Sequence, residues 1–190
     1  MRLLALAFLA AALAGCGDAG PPEPAAPEQA APSQRRGGAI EVDRTQAGLP
    51  APDATFLTPE GEPTRLTDYA GKPVLVNFWA TWCAPCVKEL PTLDRLAGRE
   101  AGRLTVLTIS QDSDGDDGTA AQKVDRFFAQ RRFANLGAYR DPENAIMTRL
   151  AVGTLPTTIL YDAAGKEVWR YAGDAEWDGA AAARLIGTRR

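Results

Sequence analysis

An α/β fold, with a central mixed sheet and helices on both faces, is what the sequence predicts, and three observations carry that reading. Lys72–Ala80 (KPVLVNFWA) and Leu104–Ser110 (LTVLTIS) are near-continuous apolar runs, as strands covered on both faces require. Stretches with apolar residues at helical spacing alternate with them. The chain then closes on two short β-rich runs and a last helical stretch. Strands alternating with helices and ending in a hairpin describe one layered domain, which suits a chain of 190 residues.

The elements follow in order. Met1-Arg2 and the apolar run Leu3–Leu13 form a stretch too short to span a bilayer, which needs about 20 apolar residues. Residues 1–15 therefore read as a cleaved signal ending in the small residues Ala14-Gly15 before Cys16. From Gly17 to Gly38, prolines at 21, 22, 24, 27 and 32 alternate with alanine and glutamate. No hydrophobic period survives there, so a solvated tether is expected, reaching at most roughly 70 Å. Residues 16–45 are assigned to anchor and Pro/Ala-rich linker and 46–190 to the folded domain, with order expected from near residue 40. The first buried strand is followed by a helix over 85–96, with Val87, Leu90, Leu93 and Leu96 on one face and a kink expected at Pro91. A second strand over 104–110 precedes a helix over 121–133 carrying Val124, Phe127 and Phe128. A third helix is expected over 142–150, capped by Asp141 with Pro142 at its first position. Strands 157–161 and 167–171 are joined through Asp162-Ala163-Ala164-Gly165, and a helix over 177–187 ends the chain.

Composition excludes several chemistries. The chain has no histidine, which removes Ser-His-Asp and Cys-His catalysis and every His-ligated metal site. With a net charge of −3 and no long basic run, no nucleic-acid partner is expected. Three cysteines remain, at 16, 83 and 86. Cys83-Ala84-Pro85-Cys86 falls where the first buried strand ends and its helix begins. Free N–H groups and the positive helix end stabilise a thiolate there, and Pro85 costs no hydrogen bond in the first turn. Two intervening residues let Cys86 return within disulfide reach of Cys83. Zinc would need four ligands, and with Cys16 apart there is no other cysteine and no histidine to complete the set, so no metal is expected. A purely structural disulfide would close too small a loop to stabilise much. Redox activity without a separate cofactor is the better reading.

Trp79-Ala80-Thr81-Trp82-Cys83-Ala84-Pro85-Cys86 resembles the active-site segment of thioredoxin-fold proteins, and Thr154-Leu155-Pro156-Thr157 resembles their cis-proline loop. Trp82-Cys83-Ala84-Pro85-Cys86-Val87-Lys88-Glu89-Leu90-Pro91 is similar to the WCxPCxxExP run of the TlpA/ResA-like bacterial thiol–disulfide oxidoreductases. Tyr139–Gly165 fits that group's extra helix and Gly-x-x-Pro-Thr-Thr strand, and the likeness spans about Ala47–Gly187. It implies a thioredoxin-like fold in which Cys83 is the nucleophile and Cys86 the buried resolving cysteine. Leu155 and Pro156, with an exposed Trp82, would form the wall against which a substrate peptide lies. Glu89 matches an acidic residue that modulates cysteine reactivity in the group, against the plainer reading of a solvated carboxylate. Asn77 stands where ordinary thioredoxins carry a buried aspartate, and is read at most as filling space. Leu13-Ala14-Gly15-Cys16 resembles the bacterial lipoprotein signal, which implies lipidation at Cys16 and attachment to the cell envelope.

Two other patterns in the sequence have plainer readings. Asp112–Gly118 is rich in Asp and Gly, but in EF-hand register the required glycine falls on Asp117 and the closing glutamate on Lys123. A loop entering a helix is the better account. Ala80, where a peroxiredoxin would carry threonine, and the CxxC itself argue against that family. The expected function is thus a disulfide reductase of envelope proteins, and the resemblance implies re-reduction by a membrane electron donor and a place in cytochrome c maturation. A disulfide-donating oxidase and a redox-inert binding module are the alternatives.

Overall fold

A computed structural model describes residues 40–187. The signal, Cys16 and residues 17–39 of the linker lie outside them. Among the described residues seven strands form one sheet in the order β2-β1-β5-β4-β3-β6-β7. They are β1 (Thr55–Leu57), β2 (Pro63–Arg65), β3 (Val74–Trp79), β4 (Thr105–Ser110), β5 (Tyr139–Arg140), β6 (Thr157–Tyr161) and β7 (Glu167–Ala172). The helices are α1 (Ala84–Arg99), α2 (Ala120–Arg131), α3 (Ala145–Arg149) and α4 (Ala180–Ile186), with a 3₁₀ turn at Leu66–Tyr69. β3, β4 and β5 run parallel, whereas β6 and β7 are antiparallel to their neighbours, so the sheet is mixed.

β3 is buried along its whole length, and its side chains divide two core layers. Leu75 and Trp79 face a layer built with Leu90, Leu93 and Leu96 of α1, Val124 of α2 and Ala182 of α4. Val74, Val76 and Phe78 face the other, with Leu66, Ile146 of α3 and Leu150. The period-two alternation of a strand sends successive residues to opposite faces, and helices cover both. α1 continues through Pro91 as one element, although the missing N–H leaves the Val87 carbonyl without its helical donor.

Three expectations need correction. The third helix starts at Ala145, not Pro142. Asn144 donates its N–H to the Asp141 carbonyl (2.9 Å), closing a turn, and Asn144 itself sits in the left-handed region. Asp141 still caps the helix, but from outside the turn: its Oδ1 accepts from the Ala145 N–H (2.8 Å) and its Oδ2 from the Met147 N–H (3.3 Å). The short Asp side chain favours such a local turn over another helical residue. The last helix begins at Ala180; Trp177 precedes it in a turn closed by the Gly179 N–H and the Glu176 carbonyl. Residues 40–45, which composition placed in the linker, belong with the folded body. Ile40 and Val42 pack on the α1 layer. Asp43 exchanges both backbone hydrogen bonds with Arg170 of β7 (2.8 and 2.9 Å), and Gly48 and Leu49 pair with Glu167.

Candidate active site

β3 delivers the chain to the site through a fastened turn. The Trp79 ring lies 5.0 Å from that of Phe127 and 5.9 Å from that of Phe128 on α2, and its carbonyl accepts from the Gln111 N–H (2.8 Å). Asp112, fully buried at the end of β4, then grips the next residues. Its Oδ2 accepts from the Thr81 N–H (2.9 Å) and the Ser110 hydroxyl (2.7 Å), and its Oδ1 from the Thr81 hydroxyl (2.6 Å). The Cys83 N–H returns to the Ala80 carbonyl (3.1 Å), and α1 starts one residue later. Sequence reasoning missed Asp112 as a site residue, because it stood as the first member of an Asp/Gly-rich loop.

Cys83 is the N-cap of α1, and its side chain accepts no hydrogen bond from the first turn. Cys83 and Cys86 form a disulfide with Cα atoms 5.3 Å apart. Cys86 is wholly buried and Cys83 is 6% exposed, so what solvent access the pair has comes through Cys83. Trp82 stands 71% exposed beside it. Once reduced, a sulfur at Cys83 faces unpaired helix N–H groups and the positive end of the helix dipole.

The second loop leaves the sheet at the same end. Phe78 of β3 lies opposite Thr157 of β6, which places the preceding Pro156 beside the exit of β3. The Leu155–Pro156 peptide is cis, as the loop's resemblance implied. Pro156 is buried, its carbonyl accepting from the Gly173 N–H (2.9 Å), and Leu155 packs on the layer that contains both cysteines.

Glu89 lies on α1 three residues beyond Cys86, so the two share one helix face. It is not a solvated carboxylate: only 2% of it is exposed. Its Oε1 accepts from Asn77 Nδ2 (2.7 Å); its Oε2 accepts from the Ala175 N–H (3.0 Å) and the Trp177 indole N–H (2.9 Å). Burial pushes its pKa up from 4.5 to about 7, opposed by those three hydrogen bonds. Asn77 therefore does more than fill space; it also donates to the Thr158 hydroxyl (3.0 Å), tying β3, β6 and α1 together.

Among the described residues no group of three or more Cys, Asp or Glu is placed to hold a metal. The Asp/Gly-rich loop serves the chain itself, with Asp114 Oδ1 accepting from the Ala120 N–H (2.8 Å) at the start of α2.

A cysteine pair at a helix N-terminus, a cis-proline loop at the same sheet end and a buried carboxylate below the pair define a thioredoxin-fold thiol–disulfide oxidoreductase. The chain belongs to the AhpC/TSA family, whose sequence profile matches residues 47–169. It is 35% identical over 127 residues to the thiol-disulfide oxidoreductase ResA of Geobacillus thermodenitrificans, covering 66% of this chain and 69% of that one. It is also 35% identical over 124 residues to the thioredoxin-like protein YneN of Bacillus subtilis, covering 63% and 68%. In structure it is similar to the pneumococcal exposed lipoprotein thioredoxin Etrx1 of Streptococcus pneumoniae: TM-score 0.58, 30% identity, 70% of this chain and 96% of that one. Among the described residues no helix is long and apolar enough to cross a membrane.

Proposed function

We propose that this enzyme works as a reductase of disulfides in cell-envelope proteins, held to the membrane by a lipid on Cys16. The observation that carries the reading is the asymmetry of the cysteine pair: Cys83 is at the helix tip beside exposed Trp82, and Cys86 is wholly buried above Glu89. The Cys83 thiolate attacks a client disulfide and forms a mixed disulfide, releasing one client thiolate. Cys86 then attacks the Cys83 sulfur, the second client sulfur leaves, and the enzyme is left oxidised. Two electrons have passed from the dithiol to the client. Trp82 and Leu155, the latter set by its cis peptide to the buried Pro156, form the surface that meets the client backbone, and Glu89 modulates the pair. A membrane dithiol donor restores the reduced enzyme. The lipoprotein-like Leu13-Ala14-Gly15-Cys16 run supports the anchor, and the similarity to a lipoprotein thioredoxin is in keeping with it. Apocytochromes awaiting haem are one client class such a reductase would serve.

Trapping tests it. Cys86→Ser in cells accumulates mixed disulfides through Cys83, and Cys83→Ser accumulates none. Activity retained in Cys83→Ser would refute the scheme. A reductase also has a potential nearer thioredoxin's about −270 mV than DsbA's about −120 mV; a value near the latter would make the enzyme a disulfide donor.

A further inference from the structure

We propose that Trp177 is a positioning residue for the resolving step: its indole N–H fixes the Glu89 carboxylate one helical turn below Cys86, in the state that accepts the Cys86 proton. The proposal rests on the reductase scheme above and adds to it the C-terminal segment that enters α4.

Three groups hold the carboxylate, namely Asn77 Nδ2, the Ala175 N–H and the Trp177 indole N–H. Each faces the carboxylate with a donor, so the shell matches its ionised form. Burial opposes ionisation, and the balance falls at about 7, where a proton acceptor is most useful near neutral pH. The indole itself has no freedom to drift. The Trp177 backbone N–H donates to the Thr92 hydroxyl (3.0 Å), which donates to the Glu89 backbone carbonyl (2.7 Å). Its ring is parallel to that of Trp169 within 3°, with centroids 6.3 Å apart, and Trp169 donates to the Leu185 carbonyl of α4 (3.2 Å). Residues 174–177 are thereby stapled across α1 at the level of Glu89.

The charged surroundings leave this role to neutral donors. Asp174, in the same segment, repels the ionised carboxylate, and Lys88 of α1 pairs with Asp174 (3.0 Å). Tyr171 of β7 donates its hydroxyl to the Asp174 carbonyl (3.4 Å). β3 and β6 contribute Asn77 and Thr158, both uncharged. In the mixed disulfide the Cys86 thiol gives its proton to Glu89, and the resulting thiolate attacks the Cys83 sulfur. The bond from Cys83 to the client breaks, the client thiolate leaves, and Glu89 returns the proton to it or to solvent.

The test uses the full chain and a disulfide-bonded peptide, following release of the second peptide thiol in single turnover from about pH 5 to about pH 9. The wild-type rate is expected to show an inflection near 7. Trp177→Phe keeps the ring and removes one donor to the ionised form, so the inflection moves up by about one pH unit. Glu89→Gln abolishes the inflection, and Trp177→Phe in that background alters the profile no further. A Trp177→Phe profile superimposed on wild type, or the same shift in the Glu89→Gln background, overturns the proposal. A readout free of the substitution at 177 is the indole N–H resonance of Trp177. It follows the same inflection in the wild-type chain and is flat in Glu89→Gln; a pH-invariant resonance in the wild type refutes the coupling. Failure of the underlying scheme is distinguishable, because the wild type would then release no second thiol, or Cys83→Ser would release it equally well.

Discussion

At Glu89, burial and hydrogen bonding pull in opposite directions, and that opposition has a sign in stability. In the unfolded chain the carboxyl loses its proton near 4.5; in the fold it keeps it until about 7. Between those values the native state binds more protons, so Glu89 makes stability fall as pH rises. Its contribution is complete below 4.5 and gone above 7. Glu89→Gln is therefore expected to remove a decline of a few kcal/mol across that window, read by denaturant unfolding of the oxidised protein at its two ends. An unchanged slope would mean that the carboxylate is solvated after all. The cysteines were legible in the sequence because CxxC at a strand-to-helix corner is local. Glu89 was visible only as a motif position. What makes its carboxylate unusual is Trp177, 88 residues away, whose meeting with it depends on how α4 is entered. Asn77 was underrated for the same reason, since both its partners lie on other elements.

Elements with a clear period were readable, and those set by a single contact were not. β3, β4, β6 and β7 were found within two residues at each end, because apolar runs identify buried strands. β1 and β2 are three residues each and β5 only two, too short to show alternation. Helix ends moved where an acidic side chain preferred a turn, as at Asp141. The turn between β3 and α1 is the element on which the site depends, and Asp112 is its fastening. Asp112→Ala leaves the Thr81 N–H without an acceptor and is expected to cost about 1–3 kcal/mol. Amide exchange at Thr81 should speed up while exchange within β3 stays slow. Equal protection of Thr81 in both proteins would show that the turn holds without the carboxylate.

Seen whole, the sheet has β7 at one margin, and the segment over residues 43–49 lies along it. An uncovered edge strand invites pairing with another chain. Ile40 and Val42 alternate as an edge segment would, but they adjoin a Pro/Ala-rich run that masks so short a pattern. Deleting residues 40–51 is expected to lower Tm by roughly 5 °C or more, at about 2–4 °C per kcal/mol lost, and to cause self-association in sedimentation. A deletion variant as stable and as monomeric as its parent would assign the margin no protective role. The placement of the tryptophans has an optical consequence. Of the four, Trp79, Trp169 and Trp177 are fully buried, while Trp82 is exposed and next in sequence to the disulfide. Aqueous iodide can collide with Trp82 alone, so the quenchable part of the emission reports on one side chain. Because Trp82 adjoins Cys83 in sequence, the iodide-sensitive emission is the part expected to change as Cys83 and Cys86 are reduced, giving a label-free gauge of the enzyme's oxidation state.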